Sequence, residues 1–396
     1  MTDRKTWVSK LPILALGFRP FYLLAAIFAA VALPIWIGTF FGIIPVSGYL
    51  TGIAWHSHEM VFGFATAVMA GFLLTAVRNW TGLRTPDGGA LAVLVLLWIL
   101  GRVLMLTGPA GLATVVDLLF LPALAIAVAI PIARSRNTRN FKVIVVLVAF
   151  MIANVGFHLA QLGVFSVDIG RLSVIVALDI VVILMAIIAG RVIPAFTANA
   201  LPGVHPKNIY GVEVVALGSL ILILVAEVAS YWYLIPRLFW FGLFITAFVA
   251  HATRLLLWCP FQTRHDALLL MLPVAYAWIP VALLLRAISV MPVGVSVTTA
   301  FHALTIGAMA SLMMAMMTRS ALGHTGRPLK AGRIEIGAYL LLQAAAVTRI
   351  LPGFLWPQSY RAIFIVSATL WSLAFVVFLC GYWTALTRER IDGKPG

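Results

Sequence analysis

GIAWHSHEMVFGFATAVMAGFLLTAV, residues Gly52–Val77, is the stretch on which the fold turns. It is long and apolar enough to cross a bilayer, which takes roughly 20 mostly apolar residues. Yet it opens on His56, Ser57, His58 and Glu59. An ionisable side chain inside a span costs roughly 2.5–3.5 kcal/mol on insertion scales, so each one there points to function. Two residues apart on a helix of ~3.6 residues per turn, His56 and His58 diverge by about 200°. They face opposite sides of one helix and suit two separate sites.

Working outward, eleven further stretches of the same kind follow: Phe21 to Ile43, Gly89 to Leu106, Gly111 to Ala133, Phe141 to Phe165, Arg171 to Phe196, Ile209 to Ala229, Leu234 to Trp258, His265 to Ala287, Ser296 to Thr318, Ile334 to Leu351 and Tyr360 to Leu386. With 63% hydrophobic and 10% charged residues, the chain cannot hide its apolar surface in a water-soluble core. The expected fold is an all-α integral membrane protein of about twelve transmembrane helices, a single polytopic domain over residues 1–396 with the lipid bilayer as its surroundings. A net charge of +15 invites a nucleic-acid reading, which the absence of any soluble segment to present it argues against. The charge alternates instead. Arg4, Lys5, Lys10 and Arg19, Arg78 and Arg84, Arg134 to Lys142, Arg191 and Lys207, Arg254 and Arg264, Arg319 to Arg333, and Arg388 to Lys394 fall in alternate loops. Arg102, Arg171, Arg237, Arg286, Arg349 and Arg361 remain for the other side. Positive charge marks the cytoplasmic side, so both termini are expected to be cytoplasmic.

On this topology His56, His58, Glu59, His158 and His302 lie towards the outer ends of their helices, with Asp117 and Asp179 at similar depths. Imidazole ligates haem iron and copper, which makes His56, His58, His158 and His302 the candidate metal ligands. Interhelical hydrogen bonding is the plainer alternative; for His158 alone the two stand level, but for His56, His58 and His302 together the ligand reading leads. Asn154, His158 and Gln161 share a helical face by their spacing. Met309, Met313 and Met316 stay within about 40° of the His302 face and read as a pocket wall or as core filling. Glu59 and Asp179 are the candidate proton carriers, Glu59 also a group that orients a ligand ring. Haem propionates would need guanidinium partners; Arg286 and Arg349 are the first candidates, then Arg361 and Arg102. Arg78, Asn79, Arg191, Asn199, Arg319, His324 and Arg327 gather at cytoplasmic helix ends, where they cap helices, bind a partner or gate protons.

An internal echo with a period of four helices suggests three four-helix units: helices two, six and ten end in similar basic, Gly- and Thr-rich punctuation, and His58 precedes Gly63 as His302 precedes Gly307, by five residues. Chance similarity explains it equally well.

FRPF at Phe18–Phe21, WHSHEMVFGF at Trp55–Phe64, GFLLTAVRNWTG at Gly71–Gly82, GRVIPAFTAN at Gly190–Asn199, YAWIP at Tyr276–Pro280, HALTIGAM at His302–Met309 and MTRSALGHTGRP at Met317–Pro328 together resemble the NnrS family of bacterial membrane proteins. The resemblance implies twelve helices, b-type haem and copper, the bacterial inner (cytoplasmic) membrane, and a part in the response to nitric oxide and nitrosative stress during denitrification. It implies a histidine where Pro273 stands. A looser similarity joins the chain to the haem-copper oxidases and nitric oxide reductases, which hang two centres on opposite faces of one helix through a His-x-His pair; their consecutive-histidine copper motif is missing here. The functional expectation is a haem- and copper-binding redox protein that binds nitric oxide, with nitric oxide reductase-like turnover left open and electrons drawn from quinol or a small donor. The alternatives are a proton-coupled or metal secondary transporter and a non-catalytic haem-binding sensor.

Overall fold

In a computed structural model the chain is helical, 81% of it, without strands among the described residues. Residues 11–45, 48–292, 295–351 and 359–393 are described; Arg4, Lys5, Lys10 and Lys394 lie outside them. The helices are α1 Phe18–Phe40, α2 Gly52–Thr81, α3 Gly88–Thr107, α4 Ala110–Arg134, α5 Lys142–Gln161, α6 Val167–Ala200, α7 Tyr210–Ala229, α8 Arg237–Leu257, α9 Ala267–Ser289, α10 Val297–His324, α11 Arg333–Ile350 and α12 Tyr360–Thr387. Each expected stretch folds as one helix, and eleven are long and apolar enough to cross a membrane. The twelfth, α11, carries Arg333, Glu335 and Arg349 within its 18 residues.

The ends follow local chemistry. Asp266 caps α9 by accepting from the backbone N–H of Leu268 and Leu269 at 2.9 and 3.2 Å, as an N-cap carboxylate does. Glu335 reaches back to the Gly332 N–H at 2.6 Å to start α11. Gly82 closes α2 in the left-handed region at φ 68°, where glycine carries no steric penalty. Several helices overrun their expected ends. α6 continues past Phe196 with Pro194 inside it, and α10 runs on to His324, which places that histidine on a helix rather than in a loop.

Two helices are not uniform. In α2 the backbone widens to a π-helix over Glu59–Ala65, immediately after His58. In α10 it does the same over Ala303–Ala310, immediately after His302. A π segment inserts a residue into the helical repeat and recurs at functional sites. The sequence echo of histidine and glycine five apart is therefore a backbone feature shared by α2 and α10, whereas α6 is α-helical throughout.

The chain groups into two compact units. The first holds the chain up to Ala177, Met317–Leu329 and the chain from Phe375. Within it α2 packs on α1 and α4, α3 on α4, and α4 on α5. The second holds Leu178–Met316 and Lys330–Ala374, where α8 packs on α7 and α9, and α10 on α9 and α11. In the most apolar window of α2, 94% of residues are buried, against 33% for α3. α2 is thus a core helix, while α3 turns Leu96, Leu100 and Val103 outward, each more than half exposed. An apolar face of that kind belongs against lipid, and the protein is a multi-pass membrane protein.

Candidate metal centre

The first unit holds a cluster of buried polar residues drawn from four helices. α2 supplies His58 and Glu59, α3 Arg102, α4 Thr114 and Asp117, and α5 Asn154 and His158. His58, Glu59 and His158 have no solvent exposure. The i, i+4 spacing on α5 points Asn154 and His158 inward together, as the sequence implies; Gln161, the last residue of that helix, is exposed.

Arg102 bridges the two acids. Its Nη1 donates to Glu59 Oε1 at 2.6 Å and its Nη2 to Asp117 Oδ1. His58 Nδ1 lies 2.8 Å from Glu59 Oε1, and its Nε2 lies 3.2 Å from Asn154 Oδ1 and 3.4 Å from Asp117 Oδ2. His158 Nε2 is 3.1 Å from the same Asp117 oxygen, with its Nδ1 facing the hydroxyls of Tyr49 at 3.3 Å and Thr114 at 3.4 Å. Burial holds the Tyr49 phenol above its ordinary pKa, so it remains a hydroxyl. The rings of Phe62 and Phe157 lie against His58.

Donors and acceptors do not balance. A neutral imidazole has one N–H and one lone pair, but both nitrogens of His58 face oxygens that accept. Turning the Asn154 amide over does not help, because its Nδ2 donates to Asp117 Oδ2 at 2.8 Å. Two carboxylates against one guanidinium leave an excess negative charge. A cation at His58 Nε2 resolves both faults, either a proton or a metal ion. His58, Asp117 and His158 each offer a ligand atom within 4.8 Å of one another, and two imidazoles with one carboxylate form a first-row transition-metal donor set.

The other expected residues lie apart from this cluster. His56, on the opposite face of α2 as the spacing requires, stacks on Trp36 with ring centroids 4.1 Å apart. His302 is in the second unit, its Nδ1 2.7 Å from its own helix's Thr298 carbonyl. Asp179 and Arg286 meet there at 3.0 Å, and Arg286 also pairs with Glu227. That repeats the ratio of two carboxylates to one arginine without a histidine. Arg349 lies over the Phe364 ring at 4.3 Å. Pro273 is buried inside α9.

Sequence reasoning had noted the depth of Asp117 without assigning it, and it missed Glu227, Tyr49 and Thr114. The usable signal was scarcity, since the chain has only 12 acidic residues and one within an apolar span must have a partner.

Fold and site together define a multi-pass, metal-binding membrane protein of bundled helices. The chain belongs to the NnrS protein family, whose model matches residues 12–390. No curated protein sequence matches it.

Proposed function

We propose that this chain is a redox protein of the bacterial inner membrane that holds a transition metal between His58, His158 and Asp117 and binds nitric oxide there. The observation that carries the reading is His58, both of whose nitrogens face acceptors. Copper suits the site first, because first-row divalent ions bind nitrogen and oxygen donors most tightly at copper. A bound redox metal supplies an electron-exchanging centre with affinity for a small uncharged gas. The chain does the rest. Glu59 accepts a hydrogen bond from the Nδ1–H of His58 and so aims Nε2 into the site; Thr114 and Tyr49 accept in the same way from the Nδ1–H of His158, the outer support that ligating imidazoles require. Arg102 pairs with both carboxylates, and Phe62 and Phe157 shield the His58 ring.

A porphyrin does not fit between His58 and His158, since the Asp117 carboxylate stands within hydrogen-bond distance of both. The haem reading therefore rests on the two remaining histidines, each taken within its own unit: His56 in the first and His302 in the second. An Nδ1–H held by a backbone carbonyl, as at His302, leaves the lone pair on Nε2, the form in which histidine ligates iron. Arg286 already opposes two carboxylates, whereas Arg349 has no carboxylate within ion-pair distance among the described residues, so Arg349 is the better propionate partner. Asp179 and Glu227 around Arg286 suit proton carriage within the second unit, and electrons come from quinol or a small donor.

The test is metal analysis with electron paramagnetic resonance and absorption spectra on purified protein, with and without nitric oxide. About one non-haem metal per chain is expected, with spectra that change on nitric oxide. His58→Ala and His158→Ala should each lower the metal content at least tenfold and leave any haem band in place. Protein from metal- and haem-replete cells that carries neither group would sink the proposal and leave a proton at His58, the state a proton-coupled transporter would use.

A further inference from the structure

At the opposite end of the first unit from His58, the end of α2 meets the start of α1 and the ends of α10 and α12. The joints are specific: the Phe18 N–H donates to Thr75 Oγ1 at 3.2 Å, Arg19 Nη1 to the Arg388 carbonyl at 2.6 Å, and Arg390 Nη1 to the His324 carbonyl at 3.0 Å. Three of the sequence motifs, FRPF, the RNWTG end of α2 and GHTGRP, thereby converge. They bring Arg19, Arg78, Arg327 and Arg390 into one electrostatic neighbourhood around His324.

The charges there are not a solvated surface run. Arg19 is 1% exposed, and its Nε and the Nη1 of Arg327 are buried without hydrogen-bond partners. Of the four arginines only Arg390 has a carboxylate in ion-pair distance among the described residues, Asp392 at 2.6 Å. Gly326, at φ 75°, leaves room for that carboxylate, which a Cβ would approach to 3.0 Å. Helix ends offset part of the excess. Three C-termini supply about −0.5 each and the start of α1 about +0.5, which leaves about two positive charges of the three unmatched.

We propose that this cluster of Arg19, Arg78 and Arg327 binds a phosphate-class oxyanion, carried either by a lipid headgroup or by free phosphate. Guanidinium forks match such an anion bidentately, and two unmatched charges fit a group carrying one or two negative charges and several acceptor oxygens. On the expected topology this end of the unit lies at the cytoplasmic leaflet, where anionic headgroups lie.

The experiment uses the full chain. In nanodiscs of purely zwitterionic lipid, inorganic phosphate and pyrophosphate are titrated by calorimetry. In detergent, native mass spectrometry counts retained anionic phospholipid. Binding in the first arm assigns the site to a free anion, and retention in the second alone assigns it to a headgroup. In either case Arg78→Gln with Arg327→Gln should weaken the signal at least tenfold. Arg134→Gln with Arg139→Gln removes the same charge from the same end, next to the loop whose Asn137 donates to the Trp80 carbonyl, and should change it less than twofold. Equal losses in the two pairs would mean general electrostatic attraction and overturn the proposal. So would a wild-type protein that neither binds phosphate nor retains anionic lipid, a result that stands even if the Arg78 and Arg327 variant fails to assemble.

Discussion

Arg102 sets the charge balance of the metal centre, because among the described residues it is the only arginine paired with Glu59 and Asp117. Removing one partner of a buried pair costs about 3–5 kcal/mol, since the remaining charge stays uncompensated. Arg102→Met should therefore lower the melting temperature sharply. Adding Asp117→Asn to it removes one negative charge as well and restores the original excess, so the double variant should melt above Arg102→Met alone. Tryptophan fluorescence melts in detergent measure this, and a double variant no more stable than the single would refute the charge account. Gly63 serves the same arrangement, as a Cβ there would come within 2.9 Å of Arg102 Nη1 and 3.1 Å of Glu59 Oε2. How much of the site could be read beforehand depends on chain distance. Arg102 and Asp117 are 15 residues apart across the turn between α3 and α4, where an antiparallel helix pair puts them at one depth. His58 and Asn154 are 96 apart, and only the packing of α2 on α4 and α4 on α5 joins them.

At the scale of the element, the π segments decide where the histidines point. One residue inserted into a helix rotates everything beyond it by about 100° relative to an unbroken α-helix. In α2 the part after the π segment is held fast. Thr75 bonds the Phe18 N–H, and Gly71 lies against the Tyr22 ring, to which a Cβ would come within 2.8 Å. Deleting Met60 should restore regular helix through this stretch and swing His58 and Glu59 off the cluster while leaving the helix intact. Unchanged helical circular dichroism with metal content lowered at least tenfold is expected; wild-type metal content in the deletion would show that the π turn does not position the ligands. The apolar period that located α2 and α10 in the sequence has no means of registering a π turn, because a single extra residue falls within the tolerance of a 3.6-residue pattern. Its only trace is the five-residue step from histidine to glycine, which the sequence leaves balanced between a repeat and chance and whose histidine in both copies immediately precedes a π segment.

For the whole molecule, the charge pattern and the helix count must agree on sidedness, and α11 is where they are tested. Hydropathy alone leaves α11 in doubt, because Arg333, Glu335 and Arg349 interrupt it; if it did not cross, the chain's two ends would lie on opposite sides. Packing within the second unit argues that it crosses. Ala338, Leu342, Ala345 and Ala346 are buried. Ser367 Oγ of α12 donates to the Ala345 carbonyl at 2.8 Å, and Gln343 links Trp278 of α9 to Ser311 of α10 at 2.8 and 2.7 Å. Its 18 residues span about 27 Å, close to the thickness of a bilayer's hydrocarbon core, and its three charges sit at its ends where they reach the interfaces. A helix tied at its middle to neighbours that themselves cross has no room to lie along the surface. In a chain freed of Cys259 and Cys380, a cysteine at Tyr360, the first residue of α12, should thus react with a membrane-impermeant maleimide added outside intact spheroplasts. One at Leu329, between α10 and α11, should react only after the membrane is opened. Labelling of both from the same side would place α11 outside the crossing set and overturn the expected twelve-span topology, and with it the expectation that both termini are cytoplasmic.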